Sequence, residues 1–569
     1  MKPIAILLLL AITTATLAPA SPTEEPRKDT WRKTCTVPLL AITTEGKGIV
    51  ASLGVTVEYP GNGTVYLSAV PATAVETQES AFLAAMAASI VAGVDMSRYN
   101  FYYDIRAPAE IVGGPSGGAE MALATLMLLR GKPCPHDIVA TGAVMPDTSI
   151  APVGGLEEKL QAAARAGISV VVVPWGQLVY YEIARSQAKG QPINFSTTQG
   201  RLVNLPLTAS RLGINVYQAP TLLDIYYIAL HGSPKRSAPT EQASSPPSAT
   251  RAAESAVREL VASLRSALEA SSTGQERAEN SLERAESLLR EGSLAGAART
   301  AITGLQEAYE ANPQLLPRRD ELLASIGEAW RAAGRATSGG VNIFSILAVT
   351  CLSAASYYAE NGQLPRAAAL LAAANAMLRA SQEYRVAWSC EPGVLDASIR
   401  AVRAGLLYLE VQGLDEWADR ARYALELLQN NTTLGERCGI TVWGLTVLSQ
   451  APRTLYGPNK PDAASRLRSM VYVMAPRIDP ATLLLAQQAG TNTTIAAIAL
   501  LAAWLQASPS GAPSPATLAE KPPPTTPVPP NPSSILEKML LAGLAAFATG
   551  LATASLWLNR RRGASLGVS

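Results

Sequence analysis

The stretch IVGGPSGGAE, residues 111–120, surrounds a single hydroxyl, that of Ser116, with four glycines and a proline. The apolar run MALATLMLLRG follows directly and predicts a helix that begins just after the serine. A serine hydroxyl is a weak nucleophile at neutral pH unless a base removes its proton. The stretch is therefore either a flexible loop or a tight turn that presents a nucleophile, and the presence of a base decides between them.

The candidate base is a lysine. His231 lies beside a Pro/Ser-rich segment and His136 lies in the turn GKPCPHD, so neither is in a motif typical of a catalytic base. Lys159 falls in the first two turns of a helix predicted after the Gly-Gly turn in APVGGLEEKLQAAARAG. The helix dipole disfavours a cation there, and burial lowers a lysine pKa from ~10.4 towards neutrality. The alternative is an ordinary surface lysine that follows two glutamates.

Three motifs in register resemble the proteolytic domain of the Lon protease family, over residues of about 35–232. They are GGPSGGAEMALATLMLLRGKP, DIVATGAV and PVGGLEEKLQAAARAGISVVVVP; upstream, ESAFLAAM resembles the family's helix before the serine. Thr141 lies 25 residues and Lys159 lies 43 residues after Ser116, offsets that suit the family without insertion or deletion. The resemblance implies an α+β proteolytic domain with a Ser-Lys dyad.

The resemblance also implies a role for each matching residue. Ser116 is the nucleophile, and Lys159 is the general base that later protonates the leaving amine. Thr141 hydrogen-bonds the lysine and holds it in place. The backbone N–H of Ser116, at a helix start, suits an oxyanion donor. Gly114 and Gly117 permit the sharp turn and the close approach of substrate backbone.

The chain departs from the family pattern in three respects. Gly113 stands where the family commonly has an acidic residue, and Ala143 stands where it has the Glu of a T-G-E motif. Details of substrate binding and of switching between active and inactive forms therefore do not carry over. The family's usual ATPase module is also missing upstream, and no G-x-x-x-x-G-K-[ST] motif occurs, so we expect proteolysis without ATP.

Composition argues against several kinds of site. The chain has 47 basic and 45 acidic residues without a sustained basic field, so we expect no nucleic-acid partner. Five cysteines without a CxxC pair, together with two histidines, lack metal-ligand spacing, and we expect neither metal nor cofactor. An exported location permits disulfides, with Cys351, Cys390 and Cys438 as candidates, and the odd count leaves at least one thiol free or paired with another chain.

Both ends of the chain predict a single-pass protein of the cell membrane. Residues 1–20 contain a lysine, then an apolar run, then small residues, which is the pattern of a cleavable secretory signal. The alternative is that this segment is an uncleaved membrane anchor. Residues 539–558 are uncharged and long enough to cross ~30 Å of hydrocarbon. Three arginines follow, which predicts a cytoplasmic tail, 559–569, and an extracellular N-terminal bulk. Five glycosylation sequons lie in that bulk, at Asn62, Asn194, Asn430, Asn431 and Asn492.

Composition divides the extracellular bulk into four segments. Strand-like and helical runs alternate through the proteolytic domain, 30–232, and a linker without large apolar side chains follows, 233–250. An all-α domain, 251–507, precedes a Pro/Ser/Thr-rich stalk, 508–533. Glycines at similar helix joints, Gly292, Gly362 and Gly413, predict an array of helical hairpins that loosely resembles tetratricopeptide packing.

The leading hypothesis is a membrane-anchored serine endopeptidase that cleaves unfolded or flexible polypeptides. The helical domain would dock protein partners or act as a spacer, and the resemblance implies a ring-shaped homo-oligomer. One alternative is a non-catalytic scaffold or binding protein with a Lon-like fold, against which the intact Ser116, Thr141 and Lys159 argue. A second is a peptidase of the signal-peptidase kind, but here a helical domain and a stalk separate the dyad from the membrane.

Overall fold

The computed structural model describes residues 30–43, 45–70, 72, 75–108, 114–183, 200–234, 246–270, 275–411, 413–430, 432–456, 461–474, 478–490 and 492–506. The predicted signal peptide, stalk, transmembrane span and cytoplasmic tail lie outside these residues, as do Gly113, Asn194 and Asn431. The described residues form an N-terminal part of strands and helices, 30–234, and a helical part, 246–506.

A four-stranded sheet begins the N-terminal part. Its strands are β1 (Trp31–Ile42), β2 (Gly48–Tyr59), β3 (Val65–Val70) and β4 (Asn100–Arg106), in the order β1-β2-β4-β3. β2 pairs antiparallel with β1 and β4, whereas β3 runs parallel to β4. One face of the sheet is buried in the core, which it shares with helices α1 (Val75–Ala92) and α2 (Gly118–Leu129).

A parallel sheet forms the second layer of strands. It consists of β5 (Ile138–Ala140), β8 (Val170–Pro174) and β11 (Asn215–Ala219), in the order β11-β8-β5. Every residue of β8 is buried, as expected for a parallel strand covered on both faces. Two short antiparallel pairs complete the strands, β6 (Ala143–Val144) with β7 (Ile150–Ala151) and β9 (Val179–Ile183) with β10 (Gly200–Asn204). The remaining helices of this part are α3 (Leu156–Arg165), α4 (Leu205–Leu212) and α5 (Leu222–His231).

The helical part contains twelve α-helices within its described residues. In chain order they are α6 (Pro247–Glu269), α7 (Glu276–Arg290), α8 (Leu294–Ala311), α9 (Arg319–Thr337), α10 (Ile343–Glu360), α11 (Leu364–Tyr384), α12 (Pro392–Val411), α13 (Asp415–Gln429), α14 (Leu434–Tyr456), α15 (Pro461–Met474), α16 (Pro480–Gln488) and α17 (Thr493–Gln506). The region is thus mostly helical, as its composition predicts.

Three of these helix joints are closed by glycine. Gly292, Gly362 and Gly413 have φ of 75°, 75° and 67°, in the left-handed region that glycine adopts without strain. They join α7 to α8, α10 to α11 and α12 to α13, and the helices of each pair pack against each other. The sequence-based prediction of these three helical hairpins is confirmed.

The helical part packs directly onto the N-terminal part. Helix α12 lies against α1, and side chains from both parts belong to one hydrophobic core. Arg466 of α15 forms a 3.0 Å ion pair with Asp224 of α5, and these side chains are only 5% and 16% exposed. Helix α6 begins at Pro247, inside the segment 233–250 predicted as a linker. The described residues of the two parts are therefore joined by a buried interface.

One described helix, α10, is long and apolar enough to cross a membrane. Most of it is buried, and α11 and α14 pack against it. Such burial is typical of a core helix in a water-soluble domain, so α10 carries no argument for membrane insertion. The predicted span at 539–558 remains a prediction.

Two disulfides link cysteines that are distant in the sequence. Cys390 and Cys438, both candidates from the sequence, are bonded to each other. Cys35 of β1 is bonded to Cys134, which follows the helix α2, and this pairing was not foreseen. Cys351 is the free cysteine, and burial raises its pKa to about 12, so its thiol is protonated at neutral pH.

Candidate active site

Ser116 lies in a tight turn and not in a loose loop. Pro115–Gly117 form one turn of 3-10 helix that leads directly into α2. Gly114 precedes the turn with a φ of 100°. A Cβ at Gly117 would lie 3.2 Å from Leu39 Cδ1, so a larger residue would push against this buried side chain of β1. Ser116 is thus held at the N-terminal end of α2, where backbone N–H groups have no partner within the helix.

The segment after β5 is bonded to the serine turn. The Gly142 N–H donates to the Ser116 carbonyl at 2.9 Å, and the Ala119 N–H donates to the Gly142 carbonyl at 3.0 Å. Thr141 Oγ1 also donates to the Ser116 carbonyl, at 3.3 Å. On the other side, the Thr141 N–H donates to the Val172 carbonyl of β8 at 2.9 Å. The parallel sheet and the serine turn therefore fix Thr141 between them.

Lys159 enters the site from α3. Gly155 caps this helix in the left-handed conformation, with a φ of 66°. Lys159 shares the buried side of α3 with Leu156, Leu160 and Ala163, and only 1% of it is exposed. Its Nζ donates to Thr141 Oγ1 at 3.1 Å. The alternative of an ordinary surface lysine is inconsistent with this burial.

Burial also changes the protonation of Lys159. Removal from water disfavours the ammonium form and lowers the pKa of Lys159 to about 7, although the neighbouring Glu158 carboxylate opposes the shift. In a large fraction of the molecules Lys159 is then a neutral amine at physiological pH, which is the form a general base requires.

Thr141 orients the lone pair of this amine. Its single hydroxyl hydrogen is donated to the Ser116 carbonyl, so Thr141 Oγ1 can only accept from Lys159 Nζ. The lone pair of the neutral amine is left for another donor. In the described part of the chain Ser116 Oγ makes no hydrogen bond to Nζ, and catalytic hydrogen bonds often tighten only when substrate binds. The structure brings Ser116, Thr141 and Lys159 into one connected unit.

Sequence reasoning missed a buried carboxyl on the serine helix. Glu120 of α2 is fully buried, and its Oε2 accepts the Ala140 N–H at 2.7 Å. Burial raises the pKa of Glu120 to about 8, with the Ala140 hydrogen bond opposing the shift. The sequence signal is a glutamate directly before the apolar run that begins at Met121.

The two histidines lie elsewhere. His136 is exposed, and His231 stacks on Tyr227 at the end of α5. Within the residues that the structure describes, no three His, Cys, Asp or Glu side chains are grouped to hold a metal ion.

Residues 35–179 match the family model of the Lon protease (S16) C-terminal proteolytic domain. This range contains Ser116, Thr141 and Lys159. The segment is a Lon-type proteolytic domain. Among curated proteins, Lon protease 2 of Syntrophobacter fumaroxidans is 32% identical over 118 residues, 20% of this chain and 15% of that protein. The human mitochondrial Lon protease homolog is 36% identical over 83 residues, 14% of this chain and 9% of that protein.

The matched stretches are short. Lon protease of Desulforamulus reducens is 44% identical over 61 residues, which cover 11% of this chain and 8% of the relative. The chain thus spans less than a sixth of the length of the curated relatives it matches.

Proposed function

We propose that this chain is a serine endopeptidase that hydrolyses peptide bonds through Ser116 and Lys159. The observation that carries the proposal is the burial of Lys159: a lysine that is 1% exposed, with its pKa lowered to about 7, donates to a threonine that is bonded to the nucleophile's own carbonyl. A solvated lysine would be cationic and could not remove a proton at neutral pH.

The reaction has two steps. In the first, neutral Lys159 takes the proton of Ser116 Oγ as the oxygen attacks the peptide carbonyl, and the C–N bond breaks as the lysine returns that proton to the leaving amine. In the second, Lys159 removes a proton from water as the water oxygen attacks the acyl ester; the bond from the acyl carbon to Ser116 Oγ then breaks, and Lys159 returns the proton to Ser116 Oγ. The Ser116 N–H, in the turn that leads into α2, donates to the oxyanion that forms in both steps.

The substrates of this enzyme are unfolded or flexible polypeptides. The 569 residues contain no P-loop motif, so no element of this sequence is recognised as a motor that could unfold a substrate. The peptidase accordingly acts without ATP on chains that are already extended. The names of the relatives, Lon proteases, are consistent with polypeptide substrates.

The enzyme works on the outer face of the cell membrane, anchored by the span at 539–558 with residues 559–569 in the cytoplasm. The sequence of both chain ends supports this topology. Two disulfides in the described residues support an oxidising location, and the exposed Asn62 and Asn430 suit glycosylation.

The helical part, with tetratricopeptide-like hairpins, is a docking platform for protein partners or for other copies of the chain in a ring. Its hairpins support this role, because such arrays commonly present concave binding surfaces. The buried interface with the Lon-type domain argues against a loose spacer.

Casein cleavage tests the proposal. The full-length chain, reconstituted in lipid vesicles with its N-terminal bulk outside, is incubated with fluorescently labelled unfolded casein and no nucleotide. We expect cleavage by the parent and a loss of at least about a thousandfold in Ser116→Ala and Lys159→Ala. The matched controls Ser68→Ala and Lys47→Ala change exposed side chains and should cleave like the parent.

The alternative is a non-catalytic scaffold that uses the Lon-type fold for binding. The absence of a hydrogen bond between Ser116 Oγ and Lys159 Nζ, within the residues described, is the observation that favours it. A parent chain that binds casein but leaves it intact would support the scaffold. Cleavage that survives both dyad substitutions would place the catalytic residues elsewhere.

A further inference from the structure

We propose that Glu120 is a positioning residue, which holds the Ala140–Thr141 peptide so that Thr141 stays bonded to Lys159. The inference rests on the proposed function of the dyad. Glu120 does not contact the reacting atoms. It acts through one hydrogen bond, from the Ala140 N–H to Glu120 Oε2 at 2.7 Å.

The need for this bond follows from the sheet. Strand β5 is at the edge of the order β11-β8-β5, and successive backbone N–H groups of a strand point to opposite sides. The Thr141 N–H points inwards and donates to Val172 of β8. The Ala140 N–H therefore points to the open edge, where no strand can accept it. Glu120, on the helix that packs against β5, supplies the acceptor.

A buried carboxyl is a costly way to satisfy one N–H group. Glu120 is 0% exposed, and its Oε1 has no hydrogen-bond partner among the described residues. With a pKa raised to about 8 by burial, the side chain is mostly the neutral acid at pH 7 and accepts through its carbonyl oxygen. A neutral amide can do the same, so glutamine is the matched substitute and methionine is a similar shape without the acceptor.

Three consecutive N–H groups link this bond to the dyad. The Ala140 N–H donates to Glu120 Oε2. The next two N–H groups donate to backbone carbonyls, that of Thr141 to Val172 and that of Gly142 to Ser116. Without the first bond, the 140–141 peptide can rotate out of the sheet edge, and Thr141 Oγ1 moves away from Nζ. The ammonium form of Lys159 then loses an acceptor, which lowers its pKa further.

The titration of Lys159 tests this chain of contacts without requiring catalysis. The full-length chain is labelled with [13Cε]lysine, and the Lys159 resonance is assigned by its loss in Lys159→Arg. Its chemical shift is then followed from pH 5 to 10 in the parent, Glu120→Gln, Glu120→Met, Thr141→Val and the double variant Glu120→Met/Thr141→Val. If Glu120→Met does not fold, as judged by circular dichroism, Glu120→Leu replaces it.

We expect Glu120→Gln to titrate like the parent. Glu120→Met should lower the Lys159 midpoint by about half a pH unit or more, in the same direction as Thr141→Val, because each change removes an acceptor from the ammonium. The double variant should match Thr141→Val alone, because Glu120 acts through Thr141. A folded apolar variant with an unchanged midpoint, or shifts that add in the double variant, would overturn the proposal.

The casein assay separates this outcome from the proposed function. If the parent leaves casein intact but the Lys159 midpoints follow the expected pattern, the peptidase proposal fails while the positioning of Lys159 by Glu120 stands. If casein is cleaved and the Lys159 midpoints do not move, the peptidase proposal stands and the positioning of Lys159 by Glu120 fails.

Discussion

Lys159 Nζ donates a 3.1 Å hydrogen bond to Thr141 Oγ1 inside the Lon-type domain, in a site that leaves the lysine 1% exposed. The two residues are 18 apart in the chain, on α3 and at the end of β5. The serine turn shares this contact, because Thr141 in turn donates to the Ser116 carbonyl. Burial and hydrogen bonding thus act together on one amine.

The first prediction concerns pH. Because the neutral form of Lys159 is the base and its pKa is about 7, kcat/KM for a fluorescent peptide should fall tenfold for each pH unit below about 7. Above this value it should reach a plateau. Measurement from pH 5 to 9 tests this, and a profile with its acid limb near pH 4 would indicate a carboxylate as the base.

The second prediction concerns the Thr141 hydroxyl. Thr141→Val keeps the shape of the side chain but removes the oxygen that accepts from Lys159 Nζ, so kcat should fall by about ten- to a hundredfold. Thr141→Ser keeps the oxygen and should retain most of the activity. Equal activity of the valine and serine variants would show that the hydroxyl has no role in holding the lysine.

The third prediction concerns close packing beside the serine turn. A Cβ at Gly142 would lie 2.4 Å from Ile150 Cγ2, and Ile150 is buried, so Gly142→Ala should destabilise the chain by about 1–3 kcal/mol and abolish cleavage. Gly154→Ala is the matched control, because no heavy atom lies within 4 Å of the new Cβ. Urea unfolding and casein cleavage of both variants provide the measurement, and equal stability would argue against the tight packing seen here.

Much of the candidate site could be predicted from the sequence. The glycine-rich turn, the apolar run after it and the second helix start at Lys159 are local signals, and the family resemblance placed them in one domain. The three glycine-closed hairpins were likewise predictable, because a left-handed residue between two helices is a local requirement.

The contacts that escaped prediction are those that join distant parts of the chain. Glu120 accepts the Ala140 N–H because β5 lies at the open edge of its sheet, and that position follows from the strand order and not from a local pattern. The Cys35–Cys134 disulfide spans 99 residues, and its spacing matches no motif. Periodicity shows that a helix has an apolar face but not what that face contacts. The packing of α12 against α1 therefore could not be predicted from the sequence.

The fourth prediction concerns the interface between the two parts. Arg466→Met removes the ion pair with Asp224, whose side chain is 16% exposed, and should lower the free energy of unfolding by about 1–3 kcal/mol. Lys47→Met removes an exposed ion pair and should have no measurable effect. We expect one cooperative urea transition in the parent, detected alike by probes in each part. Separate transitions in the parent would show that the interface does not couple them.

The fifth prediction links the site to stability. Lys159 has a pKa of about 7 in the folded chain and about 10.5 when unfolded, so the unfolded state binds more protons between these values. The free energy of unfolding is therefore reduced as pH falls from about 10 to 7. Lys159→Met removes this penalty and should stabilise the chain at pH 7 but not above pH 10.5. A destabilised Lys159→Met at pH 7 would contradict the burial of a neutral amine.

The most direct test of the dyad is the reaction of Ser116 with a fluorophosphonate, in which Ser116 Oγ forms a bond to phosphorus and fluoride leaves. Intact-mass and peptide analysis of the full-length chain reports the site and rate from pH 5 to 9. The account predicts one adduct on Ser116, a rate that rises with a midpoint near pH 7 because Lys159 must be neutral, and no adduct in Lys159→Met or Ser116→Ala. An adduct on Ser116 that forms equally fast in Lys159→Met would contradict the claim that Lys159 activates the serine.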